Sequence, residues 1–532
     1  MQNGIGSVKE RTDLNRKTLV ALALIGILGL GMILRCYRIG YKGLREDEIL
    51  TIRLVTEFQF EEELPIEKVI DPAPQLRSEA LLSPHLFSWV KGLHFQTHPP
   101  FYFLLLHLWL RIWGDPRNAA IVRLPSIFFG TLTIPLVFLL GSRLVSWKVG
   151  LVAALLFAVS PFEIFGSQEV RQQTLWTCLV TVSYLSLLSL STHGHRWAVC
   201  LYGISLAGAF YTHYLTAFVF LSQGLYLMMR PEARSSLKQW IKAVLLGFFF
   251  IALFLPSFLL AQLKLSDTSV WIRNEPLLPK LLEGLVFIPA KLILGPEVGF
   301  HFYALPRPWQ LLWALGAMVG VSVFGYGGYR WLKADRNHLR PFWFLAFWIL
   351  IPILGLLVAD LFRHSILLSI SRYMAMISPA LFLMIASGGQ GLQQRLRGIA
   401  FFCLMAVMAI RLAVYYQDPV KIQDWKGLAL FLQEQSAPGD LLVFNQVGKP
   451  PWVAPLATLC ITYYRGTEGR PIYLTGVTVS QKTKEVLGTQ RRLFLIPKNP
   501  SFSDPGPPFK PILRREVKGI GPVALFERSS TP

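Results

Sequence analysis

Two short charged clusters contain the residues best suited to chemistry. Glu46-Asp47-Glu48 follows the first apolar stretch, and Gln168-Glu169-Val170-Arg171 follows a later one. A chain made mostly of membrane helix keeps ionised groups at low cost only at its wet edges. A topology count puts both clusters at the same face of the membrane. We therefore interpret them as parts of one reactive site rather than as anchors.

Other ionisable side chains are expected at or near the same face, each arriving from a different span. Together with the acids already named, the residues expected at this face are Asp47, Glu48, His98, Glu169, Arg171, His213, Arg363, His364 and Arg372. Arginine binds phosphate as a planar fork, and a carboxylate can deprotonate an incoming hydroxyl. A carboxylate and a histidine together could hold a divalent ion on a leaving phosphate. The set therefore suits transfer of a group from a phosphate-bearing lipid.

Each of these residues also has a structural alternative. Paired carboxylates in a loop are often only solvated. His98 precedes Pro99-Pro100 and could stand beside a helix N-cap, and His213 could be a satisfied polar residue between two apolar runs. Arg372, just outside a span, could extend to lipid phosphate. Their shared sidedness favours the functional interpretation.

The composition indicates a polytopic membrane protein. The 532 residues are 53% hydrophobic and only 16% charged, with mean hydropathy +0.45, whereas a soluble domain carries about 25% charged residues. Much of the formal charge of +21 lies in short links between apolar runs. We therefore expect membrane lipids rather than nucleic acid as partners. The five cysteines form no CxxC pair, so neither a disulfide framework nor a zinc ribbon is indicated.

Eleven spans are expected, with interfacial helices between some of them. They cover residues 18–34, 119–141, 149–165, 174–191, 197–212, 214–229, 241–262, 309–331, 342–361, 373–388 and 398–416. With residues 1–17 in the cytoplasm, every short cytoplasmic link is basic, as the positive-inside rule requires. The transmembrane domain then covers 18–416, with a long first outer loop at 35–118. The protein is expected in the cytoplasmic membrane with residues 417–532 outside.

Some apolar stretches are too short or too interrupted to be counted as spans. Phe101–Trp113 has about 13 residues where a span needs about 20, so we expect it to lie in the interface or to re-enter from outside. The stretch 280–294, with Pro289 inside it, is treated in the same way. Thr51–Phe60 could form an amphipathic interfacial helix.

The tail 417–532 has the pattern of a small α/β domain. A helical pattern covers Trp425–Gln435, and a turn follows at Ala437-Pro438-Gly439-Asp440. Short β-like runs, Leu441–Phe444, Arg492–Ile496 and Val523–Phe526, come after it.

Several motifs together resemble a known family. They are Arg45-Glu46-Asp47-Glu48, His98-Pro99-Pro100-Phe101-Tyr102, Trp113-Gly114-Asp115, Arg123-Leu124-Pro125-Ser126, Ser160-Pro161-Phe162, Ser167 to Arg171, Thr212-His213-Tyr214, Ser371-Arg372-Tyr373 and Asp424 to Asp440. The chain resembles the bacterial membrane glycosyltransferases of the protein O-mannosyltransferase and aminoarabinose-transferase group, which are glycosyltransferase family 39-like proteins of the GT-C fold. The resemblance runs from about 35 to 445.

The resemblance implies transfer of a sugar from a polyprenyl-phosphate donor lipid to a lipid, glycan or protein acceptor on the outer face. It carries the catalytic acidic pair of the first outer loop onto Asp47 and Glu48, and a second outer-loop acid onto Glu169. Arg171, Arg372, Tyr373 and His213 are then expected to contact phosphate or sugar, although relatives show Thr-Lys-Gly where this chain has Thr212-His213-Tyr214. The family's metal-binding helix-start residue corresponds to His98, so a divalent metal ion is left open and no cofactor is assigned.

Two other classes of protein remain alternatives to the enzyme. A transporter or flippase would carry ionisable residues near mid-membrane and repeated halves. A non-catalytic envelope assembly factor would make the cluster around Asp47 dispensable. No Walker loop, HExxH or GxGxxG after a strand is present in the sequence.

Overall fold

The structure is a computed structural model that describes residues 2–56, 67–70, 98–192, 196–229, 234–264, 277–295, 307–418, 424–437, 439–445, 460, 464, 470–475, 480–496, 509–517 and 520–528. It divides into two compact units. One comprises Met1–Tyr37, Thr97–Tyr102 and Arg123–Tyr416, and the other comprises Arg38–Gln96, Phe103–Val122 and Gln417–Pro532. The sequence-based boundaries at 17, 35–118 and 417 stay predictions.

Helices dominate the chain up to Gln417, and strands occur almost entirely after it. The helices are α1 (Gln2–Cys36), α2 (Glu46–Val55), α3 (Phe101–Trp113), α4 (Ala119–Leu144), α5 (Trp147–Val159), α6 (Pro161–Ser167), α7 (Gln173–Thr192), α8 (Arg196–Phe210), α9 (Thr216–Met228), α10 (Arg234–Lys264), α11 (Leu277–Leu294), α12 (Arg307–Ala334), α13 (Leu339–Arg363), α14 (Ser378–Gln390), α15 (Gln394–Gln417), α16 (Trp425–Gln435) and α17 (Gln481–Thr489). Short 3₁₀ turns cover Arg336–His338, Leu367–Ser369 and Ser371–Ile377. The strands are β1 (Val69–Ile70), β2 (Leu441–Asn445), β3 (Ile472–Thr475), β4 (Arg492–Ile496), β5 (Phe509–Val517) and β6 (Gly521–Arg528).

The first unit is a multi-span membrane helix bundle. Among the described residues, six helices are long and apolar enough to cross a membrane, or seven when the bent pair α5 and α6 is counted as one span. Each of the eleven predicted spans overlaps a helix, but the span 149–165 is broken at Ser160 and the span 373–388 begins in a 3₁₀ turn. The count of eleven stays a prediction. The apolar core of this unit combines side chains from α4, α5, α7, α13 and α14.

A buried arginine stabilises the break between α5 and α6. The two helices meet at an angle of 57°, and Pro161 has no N–H to bond the Phe157 carbonyl. Arg35, fully buried, donates from Nη2 to the Phe157 carbonyl at 3.4 Å and from Nη1 to the Ala158 carbonyl at 2.8 Å. Its Nε–H donates to Ser167 Oγ at 3.1 Å. Arg35 of α1 thus donates hydrogen bonds to the backbone carbonyls at the end of α5 and to a side chain of α6.

The second unit contains a mixed sheet with strand order β1-β3-β2-β4-β6-β5. Strand β2 pairs in parallel with β3 and with β4, while β4–β6, β5–β6 and β1–β3 are antiparallel. Leu442 stands opposite both Ile472 and Phe494, which sets the register of the three central strands. Because β1 comes from the first loop, that loop contributes to the sheet of the tail.

The helix predicted at Thr51–Phe60 is displaced in the structure. It runs from Glu46 to Val55, with Thr56 at its C-cap, and residues 57–60 lie outside the described residues. The three acids in its first turn stabilise a helix N-terminus electrostatically, which explains why the helix begins before Thr51. The acidic run Glu61-Glu62-Glu63 of the same loop also lies outside the described residues.

Candidate active site

The turn between α6 and α7, which holds Glu169 and Arg171, is fastened by Gln168. Its Nε2 group donates to the carbonyls of Arg35 and Tyr37, at 2.9 and 2.8 Å. Its Oε1 accepts from the Tyr415 hydroxyl at 2.8 Å. Glu169 and Arg171 are themselves buried. A glutamine within the motif therefore positions the two charged residues that were predicted to act.

The backbone of Arg171 has a second fixed contact. Ser126 Oγ donates to the Arg171 carbonyl at 3.3 Å, and Tyr102 Oη lies 2.9 Å from Ser126 Oγ. Both partners belong to motifs on which the family resemblance rests. The motifs around Tyr102, Ser126 and Arg171 are thus joined by hydrogen bonds within the first unit.

His213 lies in the turn between α8 and α9, inside an aromatic cluster. Its ring stacks on Trp176, with centroids 4.3 Å apart, and Tyr373 meets it edge-on at 5.4 Å. Trp176 is held by its Nε1–H, which donates to Thr216 Oγ1 at 2.9 Å. Three distant segments therefore fix the His213 ring, with Trp176 stacked on it and Tyr373 set edge-on to it.

His213 is neutral at physiological pH. Burial, together with the positive charges of Arg372 and Arg171, lowers the pKa of His213 to about 3. Its Nδ1 accepts from the Leu215 N–H at 3.3 Å, so the ring proton is assigned to Nε2. The side chain can therefore donate one hydrogen bond through Nε2 and contributes no positive charge.

Arg372 follows a loop that two buried ionisable residues hold in shape. The Asp360 carboxylate accepts from the backbone N–H groups of Leu367 and Leu368, both at 2.8 Å. Lys291 Nζ donates to the Ser369 carbonyl at 2.8 Å. The Arg372 guanidinium lies 5.7 Å from the centroid of the Tyr373 ring, within cation–π range. Arg372 is thus a positioned cation close to the His213 cluster.

A small pocket joins the turn of Glu169 to Arg372. It is lined by Phe162, Glu163, Phe165, Gly166, Glu169, Gln173, Thr174, Thr177, Arg372 and Ala375, with a cavity volume of about 30 Å³. Glu163 is almost completely buried and was not singled out from the sequence. The signal that could have found it is Pro161, which bends the chain there and brings the next turn of helix into the bundle.

Asp47 and Glu48 belong to the second unit, where both lie in the first turn of α2. Glu48 is fully buried, and its Oε2 accepts from the Arg45 N–H at 2.9 Å. This contact gives Glu48 a helix-capping role. Asp47 is half-buried, and its carbonyl accepts from Thr51 Oγ1. Glu48 is thus buried and bonded at the helix start, whereas the adjacent Asp47 is only half-buried.

The remaining predicted residues differ in placement. His98 is half-buried, and its ring centroid lies 5.4 Å from that of His213. Arg363 and His364 are exposed at the end of α13. Within the described residues, no three His, Cys, Asp or Glu side chains form a group that could hold a metal ion. A metal ion at His98 stays a prediction, and no step is assigned to one.

Comparison with known proteins agrees with the sequence-based resemblance. The family model described as dolichyl-phosphate-mannose-protein mannosyltransferase matches residues 97–259, which include Glu163, Glu169, Arg171 and His213. No curated protein matches the chain.

Solved structures resemble the chain in fold. Archaeoglobus fulgidus AglB, an oligosaccharyltransferase solved with an inhibitory peptide and a dolichol-phosphate, is 10% identical with a TM-score of 0.53 over 90% of this chain and 69% of AglB. Cupriavidus metallidurans ArnT bound to undecaprenyl phosphate is 13% identical with a TM-score of 0.41 over 95% of this chain and 98% of ArnT.

The likeness to AglB supports a GT-C-like arrangement of the helices, with the mixed sheet following them. The family match falls on the segment that contributes the buried turn of Glu169 and the His213 cluster. The resemblance to the protein O-mannosyltransferase family, within the glycosyltransferase family 39-like group of membrane enzymes, is therefore confirmed through residues 97–259.

Proposed function

We propose that the protein transfers a sugar from a polyprenyl-phosphate-linked donor to a hydroxyl group of a lipid, glycan or protein acceptor at the outer face of the cytoplasmic membrane. One observation carries the proposal. Arg171 and Arg372 are both close enough to the buried, neutral His213 to lower its pKa, within a bundle whose family match is to dolichyl-phosphate-mannose-dependent enzymes. Two arginines near one uncharged hydrogen-bond donor suit a phosphate.

The roles of the residues follow from their surroundings. Arg171 and Arg372 bind the donor phosphate, His213 adds a neutral N–H donor, and Tyr373 supports Arg372 through its ring. Because His213 carries no positive charge, the arginines supply the charge that a lysine would supply in relatives. Glu169, in the fastened turn, contacts the sugar or phosphate.

Asp47 is the proposed general base for the acceptor hydroxyl, and Glu48 maintains the helix start beside it. The capping hydrogen bond to Arg45 occupies one Glu48 oxygen, whereas half-buried Asp47 retains access to solvent. General-base assistance is worth about 10²–10⁴-fold in rate, or roughly 3–5 kcal/mol in the barrier.

The decisive experiment compares Asp47→Asn with Glu46→Gln in proteoliposomes that contain polyprenyl-phosphate sugars. Both substitutions remove one charge from the first turn of α2, so each should cost about 0.3–1 kcal/mol of stability. Only Asp47→Asn should abolish transfer. Wild-type turnover by a stable Asp47→Asn protein would exclude Asp47 from the mechanism and favour the non-catalytic assembly factor.

A further inference from the structure

Lys291 is a buried cation in a mostly apolar helix. It lies in the last turn of α11 and is only 1% exposed. Lysine is almost never buried to this extent unless its charge is paired. Replacing a buried ion pair by apolar side chains is often neutral or favourable for stability. Folding alone therefore does not account for Lys291, and its contacts indicate a further role.

The Lys291 ammonium group joins α11 to the loop that precedes Arg372. Its Nζ donates to Glu283 Oε1, on the same helix, at 3.1 Å, and to the Ser369 carbonyl at 2.8 Å. The carboxylate offsets part of the cost of burying the ammonium group. The bond to Ser369 holds the backbone three residues before Arg372.

The loop fits closely against α11 at a second point. A Cβ atom added at Gly284 would lie 3.0 Å from both the carbonyl carbon and the carbonyl oxygen of Leu368. Residues 284 and 291 are seven positions apart, so they lie on the same face of α11. The Leu368 N–H in turn donates to the Asp360 carboxylate at 2.8 Å. The backbone before Arg372 is therefore held both by Asp360 and by one face of α11.

The end of α11 also contacts the segment that leads to Arg171. Ser160 Oγ, at the start of α6, donates to the Leu292 carbonyl at 3.2 Å. The turn that holds Arg171 follows α6. Lys291 and Leu292, which are adjacent in α11, are thus bonded to the two segments that lead to the arginines proposed to bind phosphate.

We propose that Lys291 is a positioning residue for Arg372, and that its bond to the Ser369 carbonyl holds the Arg372 guanidinium where the donor phosphate binds. The inference rests on the proposed function, in which Arg372 binds that phosphate. Lys291 itself is a poor phosphate ligand, because it is almost completely buried and already donates to Glu283 and Ser369. Misplacing a binding group by about 1 Å can cost about 100-fold, so an indirect contact can have a large effect.

The test measures binding of undecaprenyl phosphate to the whole protein in detergent, with undecaprenol as the control lipid that lacks a phosphate. Lys291→Met removes the ammonium group and keeps a long apolar side chain. Lys280→Met is the matched control, because Lys280 Nζ lies 3.3 Å from Glu283 Oε2 on the same helix. Lys291→Met should raise the Kd for undecaprenyl phosphate about 10-fold and leave binding of undecaprenol unchanged. Lys280→Met should keep the wild-type Kd for both lipids.

A double-mutant cycle with Arg372→Ala separates positioning from a merely structural role. If Lys291 acts through Arg372, adding Lys291→Met to the Arg372→Ala protein should not raise the Kd for undecaprenyl phosphate any further. A general structural defect, or direct binding of the phosphate by Lys291, would instead multiply the two effects. Independent effects in this cycle would therefore overturn the proposal.

Gly284→Ala tests the same loop without changing a charge, and it replaces Lys291→Met if that variant does not fold. The added methyl group has to displace the Leu368 backbone, so the Kd for undecaprenyl phosphate should rise about 3–10-fold. Gly325→Ala in α12 is its control, because no heavy atom in the described part of the chain lies within 4 Å of the added Cβ. Both substitutions raise helix propensity, and Gly325→Ala should keep the wild-type Kd.

The outcomes separate this inference from the function on which it rests. A preference for undecaprenyl phosphate over undecaprenol that is lost in Arg372→Ala, but unchanged in folded Lys291→Met or Gly284→Ala protein, would overturn the positioning role and uphold the phosphate site. Equal binding of the two lipids by the wild type would overturn both. Thermal unfolding of each variant shows whether the protein is folded.

Discussion

Acidification from pH 7 to pH 5 should destabilise the folded protein by about 2 kcal/mol through His213 alone. Burial, together with the charges of Arg372 and Arg171, lowers the pKa of His213 to about 3 in the folded state, whereas an unfolded histidine has a pKa of about 6.5. Between these values the unfolded chain binds a proton that the folded chain does not. Stability therefore falls as pH decreases below about 6.5, and the loss is complete near pH 3. At pH 5 the unfolded pKa lies about 1.5 units above the pH, which at about 1.36 kcal/mol per unit is worth about 2 kcal/mol.

The assay is thermal unfolding in detergent at pH 7 and pH 5 for the wild type, His213→Asn and His364→Asn. Asparagine at 213 keeps an acceptor near the Leu215 N–H but cannot titrate. His364 is exposed with a positive φ of 51°, which asparagine tolerates, so this variant is a matched control. The wild type and the control should lose a few °C more between the two pH values than His213→Asn does.

An equal pH-dependent loss in His213→Asn and in the wild type would refute the protonation argument. It would mean that water or a carboxylate stabilises the imidazolium in the cluster. The phosphate site would then include a titratable cation, and donor binding would strengthen below about pH 6.5. With a neutral His213, donor binding should show no such histidine-like step.

Other substitutions test the surrounding structure. Arg372→Ala should weaken donor use more than Arg372→Lys, measured as KM for the donor lipid, because lysine keeps the charge but loses the fork; equal, near-wild-type values would mean that Arg372 only extends to lipid. Glu48→Gln should lower thermal stability by about 1–2 kcal/mol, because a buried charged cap is weakened, and an unchanged melting temperature would contradict that role. Arg35→Lys should cost about 3 kcal/mol or more in an unfolding assay, because α5 loses its guanidinium partner; wild-type stability would contradict this. In a cysteine-free background, cysteine at Gln394 should be labelled only from inside and cysteine at Gln481 only from outside; the reverse would invert the topology.

The elements of the tail that the sequence predicted are present in the structure. The helix Trp425–Gln435 has the predicted bounds, and the strands Leu441–Asn445 and Arg492–Ile496 differ from the predictions by one residue at most. Asp424 caps that helix by accepting from the Gly427 N–H at 2.8 Å. Local signals sufficed there because caps, turns and short apolar runs act within a few residues.

Elements that depend on distant partners were not predicted. Strand β3 has only four residues and exists through pairing with β2 and β1. Strand β5 is mostly exposed and lies at the sheet edge beside β6, so its apolar signal is weak. Strand β1, two residues within the first loop, is defined only by its partner in the tail.

The sequence alone determined the membrane class, the helical segments and the resemblance that the family match over residues 97–259 confirms. The length of the apolar runs, the side of the membrane on which charges lie and the spacing of motifs carry this information. They do so because the lipid bilayer places the same constraints on every span. Only the tertiary structure decided which charges are buried together. Arg35, Lys291 and Asp360 lie at or near the ends of apolar stretches in the sequence. Each is fully or almost fully buried as a partner of backbone carbonyls or N–H groups. Their partners lie 123, 78 and 8 residues away along the chain. For Arg35 and Lys291, no local sequence pattern specifies the distant partner that compensates for burying the charge.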